Sequence, residues 1–200
     1  MADGLARLRA ACVPAHRALE SDGVFARILA PDVGLADYRC LLHTWQGFLS
    51  GAEPALRAAL TRQGLMPAYL ARMPRLEADL AALGWTRLAP SPAPPVIDSR
   101  GRALGLLYVL EGSALGGRVI ARHLARTLGP AVAGATQFLS ATPESGLHWR
   151  ACCALLDGAL DTPLAVEEAT EVALWAFATL RQVGSSTIAG NVKYASQATV

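Results

Sequence analysis

Apolar residues recur at steps of three and four from the start of the chain: Leu5, Leu8, Cys12, Ala15 and Leu19 line one face of a helix, and His16 falls on the same inward side. A second helical period covers about 36–62, with Tyr38, Leu41, Leu42, Trp45, Phe48 and Leu49 turned inward. Gly47, Gly51 and Pro54 are the points where it bends or divides. A third period runs over about 67–83. Asp98-Ser99 then offers an N-cap for a long helix that reaches Leu128 and stops at Gly129-Pro130. Two more helices are expected over about 148–160 and 164–181. Pro90, Pro92, Pro94 and Pro95 fall too close together for a helix and read as a stiff loop inside one domain. From Gly184 the period is lost among small polar residues, so 1–183 is expected to be one helical domain and 184–200 a mobile tail.

Composition sharpens this picture. With 52% hydrophobic and 17% charged positions, 200 residues carry enough apolar material for one core. Aromatic residues make up 6%, β-branched runs are sparse, and alanine and leucine dominate, which predicts an all-α bundle of about six or seven helices. The formal net charge of +2 excludes a polyanion as the expected partner, so no nucleic acid is anticipated. The first residues lack the apolar run of a signal peptide, and the most apolar stretch, 103–110, sits between Arg102 and Glu111. A cytoplasmic protein without a membrane segment is expected. Cys12, Cys40, Cys152 and Cys153 show no Cys-x-x-Cys spacing and read as reduced core residues.

Candidate chemistry comes from two helices. Gly101, Gly105, Gly112, Gly116 and Gly117 crowd the long helix, where each internal glycine costs about 1 kcal/mol relative to alanine. Gly112 and Gly116, four apart, share a face that serves either close helix packing or the approach of a flat molecule to bare backbone. His16 reads either as a hydrogen-bonded core histidine or as a metal ligand whose ring is oriented by Glu20, one turn on. One imidazole opposite a bare glycine face suits haem.

Leu8-Arg9-Ala10-Ala11 through His16 to Leu19-Glu20, and Tyr108-Val109-Leu110-Glu111-Gly112-Ser113-Ala114-Leu115-Gly116-Gly117, resemble the bacterial biliverdin-producing haem oxygenases, those associated with bacteriophytochromes above all. The similarity extends through Asp37-Tyr38, Glu53-Pro54, Leu76-Glu77-Ala78-Asp79-Leu80 and Phe138-Leu139, and so covers about residues 5–182. It implies a helical bundle that holds haem between a proximal and a glycine-containing distal helix. The reaction implied is cleavage of haem by O2 and reducing equivalents to biliverdin, ferrous iron and carbon monoxide. His16 is then the iron ligand, and Gly112, Ser113 and Gly116 form the distal catalytic face. Glu20 and Tyr108 join the haem-binding set, and Arg9 and Arg181 take the propionates. The resemblance makes the stripe of Arg118, Arg122, His123 and Arg126 a docking face for an acidic electron donor such as a ferredoxin or reductase; a solvated helix face is the other reading. A bacteriophytochrome is the implied recipient of biliverdin.

Two positions depart from the pattern. Pro14 lies inside the first helix, where it is expected to kink the axis and alter the aim of His16. Ser113 stands where mammalian enzymes carry an aspartate. Three other readings remain open at this point: a haem carrier or sensor on the same fold, a di-iron oxidase, and a packing module built on the glycine helix. The chain has no Glu-x-x-His motif, and His43, His123 and His148 form no evident metal set with His16.

Overall fold

Leu5, Leu8, Cys12 and Leu19 are all buried along one side of the first helix, α1 (Gly4–Glu20), as their spacing requires. The computed structural model describes residues 3–65, 69–85, 93–140 and 145–197, apart from the side chains of 145 and 190–197. After α1 come α2 (Gly23–Arg27), α3 (Leu35–Arg62), α4 (Met73–Ala82), α5 (Arg100–Thr127), a 3-10 turn (Gly129–Val132), α6 (Ser145–Ala159) and α7 (Pro163–Gln197). No strand occurs among the described residues, so the all-α expectation holds.

Two local expectations change. α1 runs through Pro14, where Pro14 and Ala10, whose carbonyl loses its usual donor, both lie on the exposed face within reach of water. α3 is one helix despite Gly47, Gly51 and Pro54; all six predicted inward residues are buried, and Pro54 is on the outside. The last helix does not stop near Arg181: α7 runs to Gln197, with Gly184 and Thr187 buried, where a mobile tail was expected. Small polar residues hide the helical period there, but Ser185, Ser186 and Thr187 each return a hydroxyl hydrogen bond to the carbonyl four residues back. The short α2 had no periodic signal in the sequence. Pro67, Pro90, Pro92 and residues 198–200 lie outside the described residues.

Helix ends are fixed by side chains from neighbouring elements. Ser99 caps α5 by accepting from Arg102 N at 3.2 Å and donates its own proton to Glu168 of α7 at 2.8 Å. Gly129 ends the helix at φ +51°, a conformation that favours glycine. The N-terminus of α4 rests on Glu53 of α3, whose Oε2 accepts from Arg72 N and Met73 N, each at 3.1 Å. Asp79 is completely buried and accepts from the backbone N–H groups of Gln137 and Phe138 at 2.9 and 2.8 Å, which pins the chain after α5 against α4.

α5 packs most extensively on α7, and α1 and α3 pack on α7 as well. The α5–α7 contact is one of backbone against backbone. A Cβ on Gly105 would overlap the Ala169 carbonyl, and one on Gly101 would fall 2.7 Å from the Ala165 carbonyl oxygen. α5 is long and apolar enough to cross a membrane by length and composition, but half of its most apolar window is buried inside the bundle, the setting of a core helix.

Gly105→Ala is therefore expected to lower stability by about 1–3 kcal/mol through overpacking, whereas Gly116→Ala, which meets nothing within 4 Å, is expected to leave stability unchanged or raise it by up to about 1 kcal/mol. Urea melts of the two variants give opposite signs if the packing is as described. The buried thiols give a second check. Burial pushes Cys12 to about 11 and Cys152 to about 12, so almost none of either is thiolate at pH 8, while Cys153 is only half-buried. Native-state alkylation at pH 8 should modify Cys153 before Cys12 and Cys152; equal rates would contradict this packing.

Candidate functional site

α1 and α5 both lean on α6 and α7 but scarcely on each other. The space between them is a cleft of about 620 Å³, within the range of small-molecule sites, and its lining is more apolar than polar. Predicted residues from both walls meet here: Arg9, His16 and Glu20 from α1, and Tyr108, Gly112, Ser113 and Gly116 from α5. The back is closed by Trp45, Trp149, Phe177 and Leu180.

His16 is not an inward core residue: its side chain is 54% exposed and opens on the cleft. The apolar face of α1 divides, one part packing on the bundle and the other facing this space. His16 Nδ1 lies 3.3 Å from Glu20 Oε2, so the predicted one-turn pairing is formed and Nε2 is the nitrogen left for a ligand. Phe177 stands edge-on to the ring at 5.7 Å between centroids and limits its tilt.

The glycines of α5 separate into two functions. Gly101 and Gly105 serve contact with α7, and Gly117 serves contact with the Leu139 carbonyl, whose oxygen lies 2.8 Å from where its Cβ would stand. Gly112 and Gly116 approach no other backbone. A Cβ on Gly112 would meet only the Trp149 ring, at 3.5 Å, and one on Gly116 would enter open space in the cleft. These two positions leave a strip of backbone bare toward His16, a cradle that larger side chains would fill.

Arg9 sits exposed on the lining of the cleft and donates to Cys153 Sγ at 3.2 Å. Tyr108 lies against Trp149, with 6.5 Å between ring centroids, and burial holds its phenol above the ordinary tyrosine range, Cys12 adding to the effect and Arg9 opposing it. Arg181 is not brought to the cleft: it pairs with Asp22 at 3.2 Å, while its neighbour Leu180 supplies the lining. Helical spacing explains this, since adjacent residues point about 100° apart. Arg118, Arg122 and Arg126 are exposed on α5, but His123 is half-buried and bonded to the Ala30 carbonyl at 3.0 Å, which removes it from the basic stripe.

Sequence reasoning missed Arg72. This buried guanidinium donates through Nη1 to the Leu110 carbonyl at 3.0 Å and to Ser113 Oγ at 2.6 Å, and it stacks on Phe138 and Trp45 at 4.4 and 5.1 Å. Ser113 in turn donates to the same Leu110 carbonyl at 2.7 Å. Arg72 thus ties α4 to α5 at the predicted catalytic serine. Among described residues, no three of His, Cys, Asp or Glu converge as a metal set.

No protein-family model matches the sequence. A haem oxygenase of Xanthomonas campestris pv. campestris (strain 8004) is 36% identical over 133 residues, which span 66% of this chain and 79% of that protein. The crystal structure of the NO- and CO-bound haem oxygenase of Neisseria meningitidis superposes with a TM-score of 0.74 at 26% identity, over 92% of this chain and 91% of that one.

Removing Arg72 while keeping an apolar side chain leaves two oxygen acceptors short of a charged donor, so Arg72→Met is expected to lower stability by about 2–4 kcal/mol. Ser113→Ala leaves Arg72 its bond to Leu110 and should cost less than about 1 kcal/mol. Chemical denaturation that ranks them the other way would show that the tie runs through Ser113 alone.

Proposed function

This chain belongs to the haem oxygenase family, and from that premise we propose that the cleft between α1 and α5 binds haem and that the enzyme opens it to biliverdin, ferrous iron and carbon monoxide. The observation that carries the assignment of the cleft is the bare Gly112–Gly116 backbone facing the His16–Glu20 pair across an apolar space of adequate size. A flat, apolar, iron-containing ring fits that space, with the imidazole on one face and no competing side chain on the other. When bound, haem supplies both the iron that activates O2 and the ring that is consumed, with electrons from a separate donor protein.

The residues present have distinct tasks in this reading. His16 ligates iron through Nε2, and Glu20 holds the imidazole in the matching tautomer. Arg9 offers a cation to the haem propionates; its weak bond to the Cys153 sulfur is readily exchanged for a carboxylate. Gly112 and Gly116 allow the α5 backbone to approach the ring, while Phe177, Leu180 and Trp149 keep bulk water from the reacting edge. Ser113, held by Arg72, is the side-chain hydroxyl of the distal wall. Arg118, Arg122 and Arg126 form an exposed basic strip suited to an acidic reductase or ferredoxin. A water-soluble protein acting in the cytoplasm is part of the same proposal, supported by the placement of α5 inside the bundle. A bacteriophytochrome as recipient of the product rests on the sequence resemblance.

Anaerobic titration of the purified protein with haem, followed by reductant and air, tests this reading. Wild type is expected to take up one haem per chain and then to lose its Soret band to a biliverdin absorbance. His16→Ala should bind with a shifted Soret band and lose turnover by at least about tenfold. Haem that binds and persists in the wild type would make the protein a carrier; unaltered spectra and turnover in His16→Ala would remove His16 as the ligand.

A further inference from the structure

A second cavity, of about 270 Å³, adjoins the cleft: Arg72, Leu115, Leu139 and Trp149 line both. It contains what the α5 wall of the cleft lacks. That wall presents Gly112, Ser113 and Gly116, none of which titrates near neutral pH. Arginine does not release a proton, the Tyr108 phenol is held high by burial, and Glu20 lies on the opposite wall beside His16. Haem cleavage consumes protons on the oxygen side, and the titratable side chains that could relay them to this wall stand behind α5, in the second cavity.

The second cavity places a titratable pair there. Glu111 is buried on α5, and His148 of α6 lies with Nε2 3.0 Å from Glu111 Oε1. The approach is off-axis, and Nε2 is shut off from solvent without a directed hydrogen bond, while the imidazole as a whole is one-fifth exposed. The same Oε1 accepts from Leu70 N at 3.3 Å, which fixes the carboxylate in place. The charged groups facing the pair among described residues are Arg72 and Arg75 from the α4 side and Arg118 from α5. The pair therefore spans from the surface to the interior, one residue away along α5 from the bare glycine strip.

We propose that His148 and Glu111 form the proton-entry pair of this site: His148 takes a proton from solvent and passes it to Glu111, and water along the boundary that the second cavity shares with the cleft carries it past Arg72 to the Ser113 hydroxyl on the cleft side. Ser113 accepts that proton on its remaining lone pair as its own turns from the Leu110 carbonyl toward the cleft. No charge is left behind, because His148 and Glu111 return to their starting forms and the Arg72 guanidinium keeps all its protons while it fixes Ser113. Both are positioning residues that act through water. The inference rests on the haem oxygenase reading above.

The test uses Glu111→Gln, His148→Gln and His148→Ala in the full chain loaded with haem. All three should bind haem with unchanged stoichiometry and Soret maximum, yet turn over about tenfold or more slowly, since a general acid contributes at least that much. Their solvent deuterium isotope effect should rise to about twofold or more, and imidazole should restore His148→Ala by about fivefold or more. Without turnover, the pH midpoint of the Soret shift of the oxidised complex should move in Glu111→Gln relative to wild type. Wild-type turnover, isotope effect and Soret midpoint in these variants would overturn the relay and leave the oxygenase assignment standing. A wild type that binds haem and never consumes it would overturn both.

Discussion

The close approach of the α5 and α7 backbones is the constraint on which the rest of this structure depends. Gly101 and Gly105 let the carbonyls of Ala165 and Ala169 come nearer than any side chain would allow, and Ser99 fastens the start of α5 to Glu168. With that end clamped, α5 and α1 scarcely touch while both are supported by α6 and α7, and the cleft is the space left between them. It is held open by rigid elements rather than by loops, which favours a preformed site for a flat ligand.

A helix with this many glycines would be a poor helix in isolation, at about 1 kcal/mol per internal glycine relative to alanine. Burial of Leu104, Leu106, Leu107 and Leu110 offsets that deficit, since each fully buried leucine contributes about 1.5–3 kcal/mol. The offset is spatially separate from the deficit: the leucines face the core and Gly112 and Gly116 face the cleft. One helix can therefore carry a destabilising strip of bare backbone because its other faces anchor it.

Much of the architecture was legible in the sequence because helical period is a local property. The inward faces of α1 and α3 and the cap and stop of α5 follow from residues within a few turns of each other. The chemistry of the walls was legible in part for the same reason: His16 and Glu20 are one turn apart, and so are Gly112 and Gly116. What stayed hidden is what tertiary contact decides. An exposed arginine and the buried Arg72 have the same one-letter signature, and only the rings of Trp45 and Phe138 and the carbonyl of Leu110 distinguish this one. His16 faced two environments along one apolar stripe, and period alone does not tell a cleft from a core. Arg181 failed as a site residue because a shift of a single position along α7 turns a side chain from the cleft toward Asp22.

Bare glycine backbone solves one problem at a site and creates another. It leaves room for a flat ligand, but it also strips the wall of groups that donate or relay protons. A side chain long enough to do so from Gly112 or Gly116 would refill the space the glycines vacate. Polar chemistry for this wall must therefore be short, as Ser113 is, or stand behind the helix and reach through its edge. Arg72 does the latter: reaching the cleft from the start of α4, its guanidinium is stacked on two aromatic rings and holds the wall through Ser113 and the Leu110 carbonyl. The wall thus carries a small hydroxyl, and the charge that holds it comes from the start of a neighbouring helix, so the glycine strip itself stays bare.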